Sequence, residues 1–227
     1  MKILAIETAT EACSAALLNN DSLSERYQLA PRQQSELILP MVDELMNEAG
    51  LSALQLDAIA FGRGPGAFTG LRLAAAVTQG IAFAAELPVL PVSTLAAMAE
   101  FTFHQYETEC VYTAIDARMK EVYWAVFTKQ QDRLVEIQAE AVIAPEHVEF
   151  TVNYPGIGVG SGWKTYQDVL TEKLGTQLIG IEPDVYPRAA SIARLGARLL
   201  EQDGAVQAEQ AIPVYLRNKV THRSGGR

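Results

Sequence analysis

Gly62-Arg63-Gly64-Pro65-Gly66-Ala67-Phe68-Thr69-Gly70 is the stretch on which the reading of this chain turns. The apolar run Ile59-Ala60-Phe61 precedes it and a long, alanine-rich stretch follows. Glycine at this density marks backbone that must take conformations closed to other residues, or come close to something. Between a strand and a helix, such a turn is where open α/β sheets place phosphates and ligands. It is not a P-loop, because no Gly-Lys-Ser/Thr follows to supply the phosphate-cradling lysine and the magnesium hydroxyl. It does fit the looser dinucleotide spacing, as Gly62-x-Gly64-x-x-Ala67. That spacing also wants an acid about 20 residues on, at the end of the next strand. Glu86 stands before the next apolar run (89–92) instead, and Pro65 removes a backbone donor from the loop. The other reading is a tight turn that packs a helix onto a sheet.

Outward from the turn, apolar patterning predicts strands over residues 2–8, 12–18 and 23–29. A helix follows over 33–49, closed by Gly50 and bent at Pro40. Next come a strand over 56–61, a helix over 69–86, a strand over 89–92, and a helix to about residue 103 capped by Ser93 or Thr94. Past His104 a second strand set appears at 110–116, 121–128 and 134–142. A second Gly-rich turn at 156–162, a helix over 188–202 and an extended segment over 213–216 complete it. The series repeats in shortened form, which predicts a duplicated α/β unit divided into residues 1–106 and 107–227.

At 227 residues and a net charge of −9 the chain is acidic, and a poor nucleic-acid binder by itself. Work on RNA would need a basic partner. The basic tail Arg217, Lys219, His222, Arg223 and Arg227 reads as a solvated end. Cys13 and Cys110 have neither metal nor redox spacing, and Cys13 reads as a buried thiol. Glu7 and Glu11 interrupt the first strands, so no signal-peptide core is expected. No apolar stretch reaches membrane-spanning length without a charge. A cytoplasmic location is the expectation.

Two helices have more apolar surface than one sheet covers. In the 33–49 helix, Leu37, Ile38, Leu39, Met41, Val42, Leu45, Met46 and Ala49 span an arc of roughly 200°, about twice a single sheet-facing stripe. In the 69–86 helix only Arg72, Gln79 and Glu86 form a polar strip. Leu71, Leu73, Val77, Ile81 and Phe83 point in several directions. Either the two helices are buried against one another, or they enter an intermolecular bundle. The second reading marks Leu37, Met41, Leu45, Leu73, Val77 and Ile81 as a partner interface. It expects Met41→Asp or Ile81→Asp to break pairing and leave the monomer folded.

Catalytic machinery is not evident. His104, His147 and His222 are never within one helical turn of each other. There is no Gly-x-Ser-x-Gly elbow. Ser161, between Gly160 and Gly162, reads as a helix cap, and Asp116 with Arg118 reads as a turn-fixing pair. Glu7 ends the first strand, where a metal or water ligand would belong, while Thr8 and Thr10 read as caps of the hairpin turn.

Four segments, Ile6-Glu7-Thr8-Ala9-Thr10-Glu11-Ala12, Gly62 through Gly70, Ile115-Asp116-Ala117-Arg118 and Pro213-Val214-Tyr215-Leu216-Arg217-Asn218, together resemble the TsaB family. These are bacterial accessory proteins for threonylcarbamoyladenosine in transfer RNA. The likeness spans almost the whole chain. It implies an actin-like, sugar-kinase-like (ASKHA) fold of two duplicated α/β lobes with the second reduced, in agreement with the repeat. It also implies a heterodimer with TsaD, the catalytic paralogue, through the helices of the first lobe. TsaE, an ATPase, joins them, and a homodimer forms through the same face in the partner's absence. Transfer RNA is then met only through the complex, with no cofactor and no membrane.

TsaD shares the Gly-Pro-Gly turn, and its next strand leads into a metal-binding His-x-x-x-His. Carried across, those positions are Thr94 and Met98, neither of which replaces imidazole. The resemblance thus implies no catalytic residue and no metal. Gly62, Gly64, Gly66 and Gly70 become a structural turn. Glu7, Thr8 and Gly160 become the remnant of a nucleotide site, with Glu7 standing where aspartate is expected in close relatives. The alternatives are an ASKHA-type phosphotransferase or ATPase with its own nucleotide site, a peptidase, and a dinucleotide-dependent oxidoreductase.

Overall fold

The computed structural model describes residues 1–131, 133–149 and 154–217. Strand β1 (Lys2–Glu7) is buried on both faces beyond its first residue, as expected of a central strand that reads as an unbroken apolar run. It pairs antiparallel with β2 (Ala12–Asn19), which pairs antiparallel with the edge strand β3 (Ser22–Leu29). On its other side β1 pairs parallel with β4 (Ala58–Gly64), and β4 with β5 (Val89–Ser93). The first sheet is therefore ordered β3-β2-β1-β4-β5.

The second sheet repeats that order. β6 (Cys110–Arg118) is central, antiparallel to β7 (Glu121–Gln130) and parallel to β9 (Gly156–Val159). β8 (Arg133–Ile143) and β10 (Leu178–Glu182) lie outside them, giving β10-β9-β6-β7-β8. Two sheets with three antiparallel and two parallel strands in the same chain order are the duplicated lobes of the actin-like, sugar-kinase-like architecture. The second lobe is reduced. Where α1 (Gln34–Ala49) connects β3 to β4, the described residues between β8 and β9 hold only the 3-10 turn Pro145–His147.

α1 and α2 (Phe68–Ala85) cover the outer face of the first sheet. Ile38, Val42, Ala74 and Ala75 pack there with Leu4, Ile6, Ile59 and Phe61. The last helix of each lobe is exchanged. α3 (Thr94–Gln105) follows the first sheet but buries Leu95, Met98 and Ala99 against Val111, Ile115 and Phe127 of the second. α6 (Ala189–Glu201) follows the second sheet but buries Ile192 and Ala193 against Ile3, Ala5 and Leu90 of the first. The two helices meet where Arg198 Nη1 donates to Glu100 Oε2 at 3.3 Å. The short helices α4 (Ser161–Thr165) and α5 (Gln167–Leu174) back the second sheet, with Trp163, Leu170 and Leu174 in its core.

The expected punctuation holds locally. Gly50 closes α1 at φ +63°, its N–H donating to Asn47 O at 3.1 Å. Ser93 Oγ accepts from Ala96 N at 3.0 Å and caps α3. One boundary moves. β4 begins two residues later than the apolar run and continues to Gly64, so the first glycines of the Gly-rich stretch are strand, paired with β5 as far as Gly64 opposite Ser93.

Candidate interlobe site and helical face

The chain ends of β1 and β6 face each other across a cleft of about 1390 Å³. Its walls are the β1–β2 turn (Thr8 to Glu11), the Gly-rich turn (Pro65 to Gly70), the β6–β7 turn (Asp116 to Met119), and Ser161 and Lys164.

Glu7 is fully buried at the end of β1. Its Oε1 accepts from Ala9 N at 2.5 Å, and its Oε2 receives a long contact from Thr94 Oγ1 at 3.5 Å. Burial pushes its pKa from 4.5 up to about 7, against the opposing pull of those hydrogen bonds. The carboxylate is thus turned back onto its own hairpin. Burial, with Glu7 nearby, also raises the Cys13 thiol to about 11, which leaves it inert as a nucleophile.

The Gly-rich turn docks on that hairpin. Ala67 N donates to Ala9 O at 2.7 Å, and Thr8 Oγ1 donates to Gly70 O at 2.7 Å. A Cβ on Gly66 would stand 2.5 Å from Ala9 O, one on Gly70 would collide with Thr8 O, and one on Gly62 with the Glu7 carboxylate. At each of these positions the place of a Cβ is taken up by protein, so close approach requires glycine there. Gly64, at φ +109°, leaves room for Val214 O of the C-terminal segment.

Two expected roles are corrected here. Thr8 does not cap the hairpin turn, because its hydroxyl crosses to Gly70. Thr10 Oγ1 takes that part, accepting from Ala12 N at 3.4 Å. Ser161 does not cap α4 either. The turn needs φ +101°, which Gly160 supplies as the cap residue, and this places Ser161 inside the helix, where its Oγ accepts from Asp116 N at 3.1 Å. The Asp116–Arg118 pair fixes its turn as expected, with Arg118 N donating to Oδ1 at 2.8 Å and Nη1 to Oδ2 at 3.2 Å.

Thr94 and Met98 are both engaged within the protein. Thr94 meets Glu7, and the Met98 methyl lies where a Cβ on Gly160 would be. Among the described residues no group of three or more His, Cys, Asp or Glu is placed to hold a metal. His104 packs beside Glu100, its Nε2 3.3 Å from Oε1, and His147 lies in a separate 3-10 turn. Asn218, Lys219, His222, Arg223 and Arg227 lie outside the described residues.

On the outer face of the first lobe the helices divide. Met41 and Leu45 are only 8% and 1% exposed and belong to the monomer's own core. Asp at Met41 would therefore strike the fold before any interface, contrary to the expectation drawn from the sequence. Leu37, Leu73, Val77 and Ile81 are partly buried at the rim of that core. Phe83 is 73% exposed, Leu39 is exposed, and a Cβ on Gly80 would meet nothing within 4 Å. Phe83 was not singled out among the candidate contacts, although a signal exists. It stands four residues after Gln79 and three before Glu86, on the polar strip of α2, at the end where Glu86 is exposed rather than where Gln79 meets Ala211 O.

The family model described as TsaD, tRNA N6-adenosine threonylcarbamoyltransferase, matches residues 27–224. A tRNA threonylcarbamoyladenosine biosynthesis protein TsaB of Escherichia coli (strain K12) is 39% identical over 224 residues, covering 97% of this chain and 96% of that protein. A protein of the same description from Haemophilus influenzae is 39% identical over 230 residues, covering 97% and 95%. A solved structure described as YeaZ from Pseudomonas aeruginosa superposes with a TM-score of 0.89 at 42% identity, over 95% of this chain and 99% of that one.

Proposed function

The chain belongs to the TsaB family of tRNA threonylcarbamoyladenosine biosynthesis proteins, and from that premise we propose that it is the non-catalytic partner that binds and stabilises TsaD, the threonylcarbamoyltransferase. The observation that carries this reading is α2. One side of this 18-residue apolar helix packs on the sheet, and the other presents Phe83 at 73% exposure beside the open Gly80. Glycine inside a helix costs about 1 kcal/mol relative to alanine, and nothing in the monomer calls for it at position 80. A helix backbone of another chain, crossing close at that point, supplies the reason. Residues 1–106 then carry the partner face. Leu37, Leu73, Val77 and Ile81 form its rim, Phe83 and Leu39 its exposed contacts, and Met41 and Leu45 its foundation.

In this reading the same face joins two copies when TsaD is absent, TsaE joins the assembled pair, and transfer RNA is met only through the complex, in the cytoplasm. Glu7, Thr8 and Gly160 are remnants of a nucleotide site now used to join turns to one another. The test is co-purification of TsaD with the tagged chain, compared with Gly80→Leu and Phe83→Asp. Both variants should keep the melting temperature of the parent and lose TsaD. Undiminished capture by both would overturn the reading, and ATP turnover by the isolated chain would replace it with a phosphotransferase.

A further inference from the structure

The last described stretch of the chain is tied to both lobes. Val206 and Val89 exchange N–H···O bonds of 2.8 and 2.9 Å at the edge of β5. Ala208 and Ala211 then bury against the core under α2, and Gln79 Nε2 donates to Ala211 O at 3.1 Å. Val214 N donates to Arg63 O at 2.8 Å, and Tyr215 lies 5.5 Å from Phe68, ring centre to ring centre. Every hold to this point is on the first lobe.

Three residues after Val214 the chain reaches the other one. Arg217 Nε donates to Glu121 Oε2 at 3.1 Å, and its Nη2 pairs with the same oxygen. Its Nη1 donates to Ala117 O at 3.0 Å. Ala117 and Glu121 bracket the β6–β7 turn that walls the cleft. Arg63 makes a second tie from the same place. Its carbonyl holds Val214, while its Nη2 reaches Glu140 Oε2 of β8 at 3.2 Å.

Two-lobed folds move about their hinge unless something prevents it. A planar guanidinium gripping a carboxylate and a carbonyl together fixes orientation as well as distance. We infer that residues 211–217 are a clasp that holds the two lobes at one spread, with Arg217 as its catch on the β6–β7 turn. Release of the catch opens the cleft while both sheets stay folded.

The test uses the full chain with spin labels at Arg32→Cys and Lys164→Cys, which line the cleft from opposite lobes. Cys13 and Cys110 are buried and stay unlabelled. With Arg217→Ala, and separately with Glu121→Gln, the interlabel distance distribution should broaden toward longer separations. Amide protection at Val214 should fall about tenfold while that of β1 is retained. An unchanged distance distribution in both variants overturns the clasp. Loss of β1 protection in step with Val214 also overturns it, because Arg217 would then support the fold as a whole rather than the spread of its lobes.

Discussion

The Glu7 carboxylate lies against the bare Cα of Gly62, with no room between them for a methyl group. One residue ends β1 and the other lies in β4, so the contact joins two central strands just where the cleft begins. Gly62→Ala should destabilise the protein by about 2 kcal/mol through overpacking, read as a shift in the denaturant midpoint. In a Glu7→Ser background the same change should cost much less. Additive costs in the double-mutant cycle would show that the carboxylate is not what excludes a side chain at position 62.

Glu7 also makes stability depend on pH. Its carboxyl ionises near 4.5 in the unfolded chain and near 7 in the folded one. Between those values the unfolded state releases a proton that the folded state keeps, so this contribution to stability falls as pH rises through the window and is constant above it. The penalty at the upper end is about 3 kcal/mol. Glu7→Gln keeps an acceptor for Ala9 N and removes the charge. Its melting temperature relative to the parent should rise from pH 5 to about pH 7 and then level off. A difference that stays constant over that range would mean that Glu7 is already ionised in the folded protein at pH 5.

Met41 and Phe83 should separate core from contact. Met41→Ala removes a side chain that is 8% exposed and should cost about 2–5 kcal/mol of monomer stability. Phe83→Asp alters one that is 73% exposed and should change stability by no more than about 0.5 kcal/mol. Thermal denaturation at low protein concentration measures both, and a large loss with Phe83→Asp would place that ring in an intramolecular contact.

The order of elements in the first lobe was legible in the chain because it rests on local physics. β1 is a continuous apolar run, Gly50 and Ser93 are helix punctuation, and the strand series repeats after residue 106. These signals span only a few residues and need no distant partner. The excess apolar surface of α1 and α2 was legible for the same reason, since helical periodicity fixes each residue's direction.

What each residue faces was decided by tertiary structure. Gly66 and Gly70 are required because the β1–β2 hairpin arrives where their Cβ atoms would stand, a contact that no spacing within the turn foretells. Ser161 looked like a cap until the turn required a positive φ, which Gly160 alone could supply cheaply. Met41 and Leu45 share an apolar arc with Leu39, and only the position of the sheet divides that arc into core and exposed face. The packing of α6 on the first sheet, and the reach of Arg217 to Glu121, join residues about a hundred positions or more apart. Periodicity and spacing act over one or two turns of chain, so contacts at that separation are set by how the two sheets come together.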